Sequence, residues 1–296
     1  MELVRLSQQL ADVAATVAHG VVRIEPGTRS GATGVVWSPD AILCADHALE
    51  RDVPLRVVLA DGTRLDAALA GREPALDLAL VRVAAANLVA PAWVDLDAVR
   101  PGELVLALSR GASALRVGLG IVSVVGAVWR TWMGARVERL LQVDARLHSG
   151  LSGSLVVDAQ GRPLGMATAR LRRGTAVVLP RATLARVAER LLAGGGARRG
   201  FLGVGAMPVR LPDAVATRTA AEKALLVVSV QPGSPADAAG IVLGDVIVAL
   251  GARLVGSLPE LLDALEDATA GERRSLRLLR GGEPRDVTVT LGARAA

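Results

Sequence analysis

The chain has 296 residues, of which 51% are hydrophobic and 2% aromatic, and its formal net charge is +5. This length predicts about two domains, with cores built mainly of Leu, Val, Ala and Ile. The arginines are interleaved with acidic residues instead of forming one basic stripe, which argues against a nucleic-acid-binding protein. No apolar run reaches the roughly 18 residues that predict a transmembrane helix.

The N-terminal segment Met1–Leu10 is amphipathic and has no apolar core of the kind found in secretion signals. If Met1 is the native start, we expect a cytoplasmic protein. If the chain is a trimmed mature form, we expect an extracytoplasmic one, in the periplasm or cell envelope. The single cysteine, Cys44, excludes an intrachain disulfide, and its apolar surroundings favour a small buried hydrophobe over a nucleophile.

Up to residue 180, the pattern predicts one helix followed by many short strands. Apolar residues at helical spacing predict a helix over 3–18, and valine-rich segments bounded by Gly, Pro and Asp then predict strands. Asp61-Gly62 and the segment 156–165 each indicate a hairpin. This arrangement favours paired antiparallel barrels, so the expected fold is mostly β. Further strands are predicted at 21–24, 103–109, 115–128, 138–144 and 176–179.

The periodicity changes at Pro180, after which the leucine spacing predicts a helix to Leu192. A glycine-rich run follows, and we place a linker at 194–200 between a first domain at 1–193 and a second at 201–296. The second domain has an α+β pattern, and its helix starts with the capping box Ser257-Leu258-Pro259-Glu260. Its strands are predicted at 201–206, 224–231, 245–250, 275–280 and 286–291.

Three residues, in the chain order His47, Asp77 and Ser152, suggest a catalytic apparatus. A serine hydroxyl becomes a nucleophile when an imidazole takes its proton and a carboxylate orients that imidazole. Ser152 lies in a glycine-flanked turn that can aim successive N–H groups at one point. We therefore expect Ser152 as nucleophile, His47 as general base and Asp77 as its orienting acid. The N–H groups of Gly150 and Ser152 would form the oxyanion hole.

Each of these residues also has an ordinary structural explanation. Ser152 could be a turn serine, His47 a structural histidine and Asp77 a buried cap; their combination is what favours catalysis. His148, four residues before Ser152, is interpreted as a loop residue at the rim of the site. Three histidines and one cysteine argue against a zinc site, and we expect no metal and no cofactor.

The chain resembles the HtrA (DegP-like) serine proteases, in which a trypsin-like double β-barrel is followed by a PDZ domain. The family usually has Gly-Asn-Ser-Gly-Gly-Pro-Leu around its nucleophile, and this chain has Leu151, Ser154 and Leu155 in place of the Asn, the second Gly and the Pro. The segment Ser109–Ala114 lacks the Asn-Pro-Phe-Gly run of the family's regulatory loop. The resemblance rests mainly on the segments 34–36, 45–49, 77–80, 118–123, 142–145, 150–153, 199–204, 232–236 and 239–247.

The resemblance implies binding sites as well as the triad. A substrate pocket would be lined by Thr175, Ala176 and Val177, and it holds no Asp, so we expect cleavage of unfolded chains after small or medium aliphatic residues. In PDZ domains, loop N–H groups capture a peptide C-terminus while the peptide adds a strand to the sheet edge. A homotrimer formed through the N-terminal part is also implied. The implied peptide-binding residues are Phe201, Leu202, Gly203, Val204, Leu258 and Leu262.

Two functions follow from this sequence. The first is a serine endopeptidase that degrades misfolded or unfolded proteins, with a PDZ domain that binds peptide C-termini. The alternative is a catalytically weak or inactive holdase or peptide-binding scaffold, in which the altered loop at 151–155 fails to close. A nucleic-acid-binding function is not favoured.

Overall fold

The computed structural model forms two compact units, residues 1–196 and residues 197–296. Each unit has hydrophobic clusters of its own. Among the described helices, none is both long and apolar enough to cross a lipid bilayer. The structure describes residues 2–26, 31–50, 53–84, 87–93, 99–112, 114–145, 152–172, 175–193, 200–266, 268 and 270–293.

The first unit starts with helix α1 (Glu2–Val17), which buries Ala14 and Val17 against the body of the unit. Six strands follow, and they close into a barrel that is filled by aliphatic side chains and the Cys44 thiol. They are β1 (Val21–Pro26), β2 (Ala32–Ser38), β3 (Ala41–Ala45), β4 (Leu55–Val58), β5 (Arg64–Glu73) and β6 (Leu78–Val83). Around the barrel they are hydrogen-bonded in the order β1-β2-β3-β6-β5-β4.

A second barrel occupies the rest of this unit, and helix α2 (Arg181–Leu192) ends it. The strands are β7 (Leu104–Arg110), β8 (Leu115–Val125), β9 (Trp129–Arg130), β10 (Arg136–Val137), β11 (Leu141–Ala145), β12 (Leu155–Asp158), β13 (Pro163–Thr168) and β14 (Ala176–Pro180). The closed order is β11-β14-β13-β12-β7-β8, and β9 pairs only with β10. The two barrels predicted from the strand pattern are therefore present.

One hydrophobic cluster joins the two barrels. Leu43 and Leu80 come from the first barrel, and Leu108, Leu155 and Met166 come from the second. Since these side chains are almost completely buried, removing them from water stabilises the contact between barrels. We call this cluster the seam. His47 follows the end of β3, Asp77 directly precedes β6 and Ser152 precedes β12, so the candidate catalytic residues come from both barrels.

The second unit contains a five-stranded antiparallel path in the order β16-β17-β18-β20-β21, with β16 at one end. The predicted capping box forms, because Ser257 N donates to Glu260 Oε2 at 3.1 Å and Glu260 N donates to Ser257 Oγ at 3.4 Å. Two short helices, α3 and α4, were not predicted. The elements are β15 (Gly200–Phe201), β16 (Val204–Arg210), α3 (Asp213–Thr219), β17 (Lys223–Val230), α4 (Pro235–Ala238), β18 (Val246–Leu250), β19 (Arg253–Leu254), α5 (Leu258–Glu266), β20 (Arg273–Arg280), β21 (Glu283–Thr290) and β22 (Gly292–Ala293).

Candidate active site

His47 lies in a short 3-10 turn, Asp46–Ala48, directly after β3. Arg72 of β5 stabilises this turn through three hydrogen bonds. Its Nη1 donates to Asp46 Oδ1 at 2.7 Å and to Asp46 O at 3.1 Å, and its Nη2 donates to Glu50 O at 2.9 Å. The His47 side chain is 31% exposed. The turn therefore fixes the backbone of His47 and leaves part of the ring accessible to a substrate.

Asp77 adopts the left-handed conformation, with φ of 54°, at the end of the 3-10 turn Pro74–Leu76. Aspartate tolerates this region better than most residues because its short side chain can form local hydrogen bonds. Here the conformation directs the carboxylate to His47. His47 Nδ1 lies 2.7 Å from Asp77 Oδ1 and 2.9 Å from Oδ2, and the His47 backbone N–H donates to Oδ1 at 3.1 Å.

The Asp77 carboxylate selects the tautomer of the neutral His47 ring. An ionised carboxylate only accepts hydrogen bonds, so Nδ1 carries the proton and Nε2 is left as the acceptor. Thr168, at the end of β13 in the second barrel, donates its hydroxyl to Asp77 Oδ2 at 2.6 Å. Asp77 is buried, and these donors compensate the cost of removing its charge from water.

Ser152 is half-buried and precedes Gly153, which has a φ of +93°. A Cβ at Gly153 would lie 2.4 Å from Thr33 O, so the turn can press against β2 only because this residue is glycine. Ser152 Oγ accepts a hydrogen bond from Ala169 N at 3.2 Å. Both Ser152 and His47 lie within the described ranges, and no hydrogen bond joins the hydroxyl to the ring.

The structure thus brings His47 and Asp77 into direct contact. It places Ser152 in contact with Ala169, the residue that follows Thr168. Thr168 contacts Asp77 through its side chain, and its neighbour Ala169 contacts Ser152 through its backbone. The roles of the three triad residues remain predictions. Gly150, Leu151 and His148 lie outside the described residues, so the predicted oxyanion hole and rim are not described.

Cys44 is completely buried in β3, and burial raises the pKa of its thiol far above the ordinary range. The thiolate is the reactive form of cysteine. Cys44 is therefore an unreactive part of the first barrel, as its apolar sequence context suggested.

The two described residues that depart from the family pattern, Ser154 and Leu155, are both fully buried. Leu155 packs in the seam. Ser154 accepts a hydrogen bond from Ala167 N through its carbonyl at 2.9 Å, but its hydroxyl has no partner among the described residues. The substitutions are thus accommodated inside the protein, at the cost of one unsatisfied hydroxyl.

The described residues of the atypical segment Ser109–Ala114, which are all but Ser113, lie in a hairpin between β7 and β8, in which Gly111 N donates to Ala114 O at 2.9 Å. Arg110 reaches back from this hairpin to the start of the unit, where Nε donates to Val21 O at 2.7 Å and Nη2 donates to Ala18 O at 2.9 Å. Desolvation lowers the pKa of Arg110 from its usual value. The segment therefore has a structural role at the junction between α1 and β1.

The predicted substrate-pocket residues lie at the start of β14. Ala176 packs inside the second barrel, and Val177 packs in the seam. Thr175 is half-buried, and its Oγ1 has no hydrogen-bond partner in the described part of the chain. A pocket lined by these residues remains a prediction.

The predicted peptide-binding loop of the second unit joins β15 to β16. Gly203 has a φ of +84°, and a Cβ there would lie 2.2 Å from Ser234 Cβ, so the turn requires glycine. Leu202 is buried in the core, whereas Phe201 and Val204 are half-buried. On α5, Leu258 is exposed and Leu262 half-buried, while Leu261 and Leu265 belong to the core.

Sequence reasoning missed two residues that support the candidate triad. Arg72 holds the turn that carries His47, and Thr168 donates to Asp77 across 91 positions of sequence. Neither residue lies in a recognisable motif: each occupies an ordinary position in a strand. Their roles arise from long-range contacts that only the folded barrels bring about.

Two family matches cover most of the chain: the trypsin-like peptidase domain matches residues 32–166, and the PDZ domain matches residues 200–291. A probable periplasmic serine endoprotease DegP-like from Brucella suis biovar 1 (strain 1330) is 32% identical over an alignment of 271 residues that covers 88% of this chain and 52% of that protein. The periplasmic serine endoprotease DegP from Escherichia coli (strain K12) is 29% identical over 269 residues, with coverages of 88% and 56%. The chain therefore spans about half the length of the curated relatives it matches.

Solved structures show the same fold. The HtrA-type protease AlgW with decapeptide superposes with a TM-score of 0.76 at 24% identity, covering 97% of this chain and 99% of that one. A serine endoprotease from Yersinia pestis superposes with a TM-score of 0.75 at 24% identity, covering 97% and 98%. The mostly β double barrel followed by a PDZ domain is confirmed.

Proposed function

We propose that this chain, which belongs to the HtrA (DegP-like) family, is a serine endopeptidase that cuts unfolded polypeptides through an acyl-enzyme intermediate. The observation that carries the proposal is the hydrogen-bonded pair of His47 and Asp77, which Thr168 completes from the second barrel. The pair leaves Nε2 of the ring as a proton acceptor, and Ser152 contacts Ala169, the residue after Thr168. Its relatives named as serine endoproteases support the same activity.

In the proposed reaction, Ser152 Oγ attacks the carbonyl carbon of the scissile bond while His47 Nε2 takes the hydroxyl proton. The tetrahedral intermediate collapses when the carbon–nitrogen bond breaks and the imidazolium gives its proton to the leaving amine. Water then attacks the acyl-enzyme, again with His47 as the base, and releases Ser152. Asp77 stays ionised throughout and stabilises the imidazolium.

This chemistry requires one change from the structure described above. Ser152 Oγ must leave Ala169 N and form a hydrogen bond with His47 Nε2. Catalytic hydrogen bonds of this kind are often long or unformed without substrate and tighten in the complex. We therefore assign the Ser152–Ala169 hydrogen bond to the resting enzyme.

The proposal is tested by labelling the full chain with a fluorophosphonate and by following the cleavage of casein. We expect labelling and cleavage in the unaltered protein, loss of both in Ser152→Ala, and retention of both in Ser123→Ala, which removes an exposed serine of β8. Casein cleavage that persists in Ser152→Ala would exclude Ser152 as the nucleophile. Absence of labelling together with suppressed aggregation of a denatured client would favour the holdase.

For substrate selection, we propose a pocket at Thr175, Ala176 and Val177 that accepts small or medium aliphatic side chains. Support comes from the small, uncharged side chains of these residues, of which Thr175 directly precedes β14 and Ala176 and Val177 begin it. Peptides that differ only at the residue before the cleaved bond test this assignment. Faster cleavage after Lys than after Val or Ala would contradict it.

The second unit is proposed to bind peptide C-termini along β16, which lies at the end of its sheet. Gln231 N donates to Gly203 O at 2.9 Å, so the polar backbone groups of Gly203 face β17. The register shift beside Gly205 places its extra residue, Val228, on β17, so the alternation along β16 is not interrupted. The backbone N–H and C=O groups of Val204 and Ala206 then point to the free edge, between β16 and the exposed Leu258 of α5. A peptide with a free carboxylate should bind, and the same peptide as its C-terminal amide should not.

An extracytoplasmic location and a homotrimer complete the proposal. The relatives named periplasmic support the location, and the outer face of α1, which exposes Leu3 and Val4, offers apolar surface for self-association. Fractionation of the source cells tests the location. Sedimentation of the full chain beside Leu3→Glu tests whether α1 contributes to an oligomer.

A further inference from the structure

We infer that Arg170 selects substrates that carry an acidic side chain within three residues of the bond that is cut. This inference rests on the proposed peptidase function and adds a specificity-determining residue to it. It arises from the position of Arg170 beside the candidate nucleophile and from the absence of a described carboxylate partner.

The backbone at 168–170 runs directly along the candidate catalytic residues. Ala169 N donates to Ser152 Oγ at 3.2 Å, and Arg170 N donates at 3.1 Å to Thr168 Oγ1, the hydroxyl that contacts Asp77. Arg170 directly follows Ala169, whose backbone N contacts Ser152 Oγ, and adjacent Cα atoms are about 3.8 Å apart. A polypeptide whose carbonyl reaches Ser152 must therefore pass close to Arg170.

The segment is anchored in a way that presents its basic side chains to solvent. Leu171 is buried and belongs to the seam, whereas Arg170 and Arg172 on either side of it are exposed. A buried residue between two exposed ones fixes the backbone of the segment. The backbone of both arginines is thereby anchored, and their side chains are exposed to solvent.

No carboxylate of the described chain neutralises Arg170 through an ion pair. The two carboxylates of the site already have partners, since Asp77 contacts His47 and Thr168, and Asp46 is paired with Arg72. Because Arg170 is exposed, its positive charge can reach a ligand. A guanidinium binds a carboxylate through two parallel hydrogen bonds, a geometry that an uncharged side chain does not match.

The test uses quenched fluorescent peptides with one aliphatic residue at the cleaved bond and either Glu or its uncharged analogue Gln at each of the three positions on either side. At one position or more, we expect kcat/KM to be about three- to tenfold higher for Glu, the range of an exposed to partly desolvated ion pair. This ratio should fall as salt is raised.

Three variants assign the effect to residue 170. Arg170→Gln should bring the Glu/Gln ratio to about one, Arg170→Lys should keep part of it, and Arg170→Glu should reverse it in favour of Lys peptides. The matched control is Arg64→Gln, which removes an exposed arginine of the first barrel and should leave the ratio unchanged.

The outcomes separate this inference from the proposed function. Cleavage at equal rates for Glu and Gln at every position overturns the role of Arg170 and leaves the peptidase function standing. A Glu preference that survives in Arg170→Gln also overturns it. Absence of both cleavage and fluorophosphonate labelling overturns the peptidase function, and the inference with it.

Discussion

At Asp77 a single buried carboxylate accepts hydrogen bonds from the His47 ring, the His47 backbone N–H and the Thr168 hydroxyl. The first two donors come from the same barrel, and the third comes from the other. Hydrogen bonds to an ionised group are stronger than those between neutral groups. Thr168 therefore orients the Asp77 carboxylate. It also links the two barrels one residue before Ala169, which contacts Ser152.

Replacing Thr168 with Val keeps the shape of the side chain and removes this donor. We expect kcat to fall about tenfold to a hundredfold, since a hydrogen bond to a charged group contributes roughly 1.5–3 kcal/mol. Because Thr168 Oγ1 also accepts a hydrogen bond from Arg170 N, KM reports whether the segment beside Ser152 shifts as well. Steady-state kinetics on one peptide substrate measures both constants.

Thr168→Ser is the matched control, because it restores a hydroxyl at the same position and should recover most of kcat. A Val variant with the kcat of the unaltered protein would show that the hydroxyl does not position Asp77. Equal losses in the Val and Ser variants would assign the effect to packing instead.

At the scale of elements, the sequence predicted most strands within a few residues and the helix from Leu258 with its capping box, because these signals are local. It did not predict α3 and α4, which are only seven and four residues long and carry too few turns for a periodic pattern. The His47–Asp77 pair was predicted from motif order. Thr168 and Arg72 were not, because their contacts depend on which strands the barrels place side by side.

In the proposed peptide complex, the edge strand β16 would offer an incomplete set of hydrogen-bonding groups. Val204, Ala206 and Pro208 face the free edge by alternation, and proline has no N–H to donate. A peptide strand that pairs with β16 should therefore lack one backbone hydrogen bond at Pro208, the third of these edge positions. Pro208→Ala restores that donor at an exposed position.

We expect Pro208→Ala to tighten the binding of a C-terminal octapeptide about threefold to tenfold, the equivalent of one net hydrogen bond of roughly 0.5–1.5 kcal/mol. A tripeptide ends before this step, so its affinity should stay the same and serves as the control. Calorimetric titration measures both. A gain for the tripeptide equal to that for the octapeptide would contradict the proposed register.

For the whole molecule, the division into two units corresponds to a division of its cores. The seam and both barrel interiors are built from residues of the first unit, and a separate cluster around Leu225, Leu261 and Leu278 fills the second. The aromatic residues are divided as well. All four tryptophans, Trp37, Trp93, Trp129 and Trp132, belong to the first unit, and the chain has no tyrosine. Tryptophan fluorescence therefore reports on the peptidase-like unit alone.

Leu278→Ala tests whether the two cores stabilise their units separately. Leu278 is fully buried in the second unit, and its truncation should lower the free energy of unfolding of that unit by about 2–5 kcal/mol. Calorimetry should show the loss in one transition, while the unfolding midpoint measured by tryptophan fluorescence stays unchanged. Leu184→Ala on α2 makes the same truncation in the first unit and should lower the fluorescence midpoint. A fall in that midpoint for Leu278→Ala would mean that the units unfold as one, because the fluorophores lie only in the unit that was not altered.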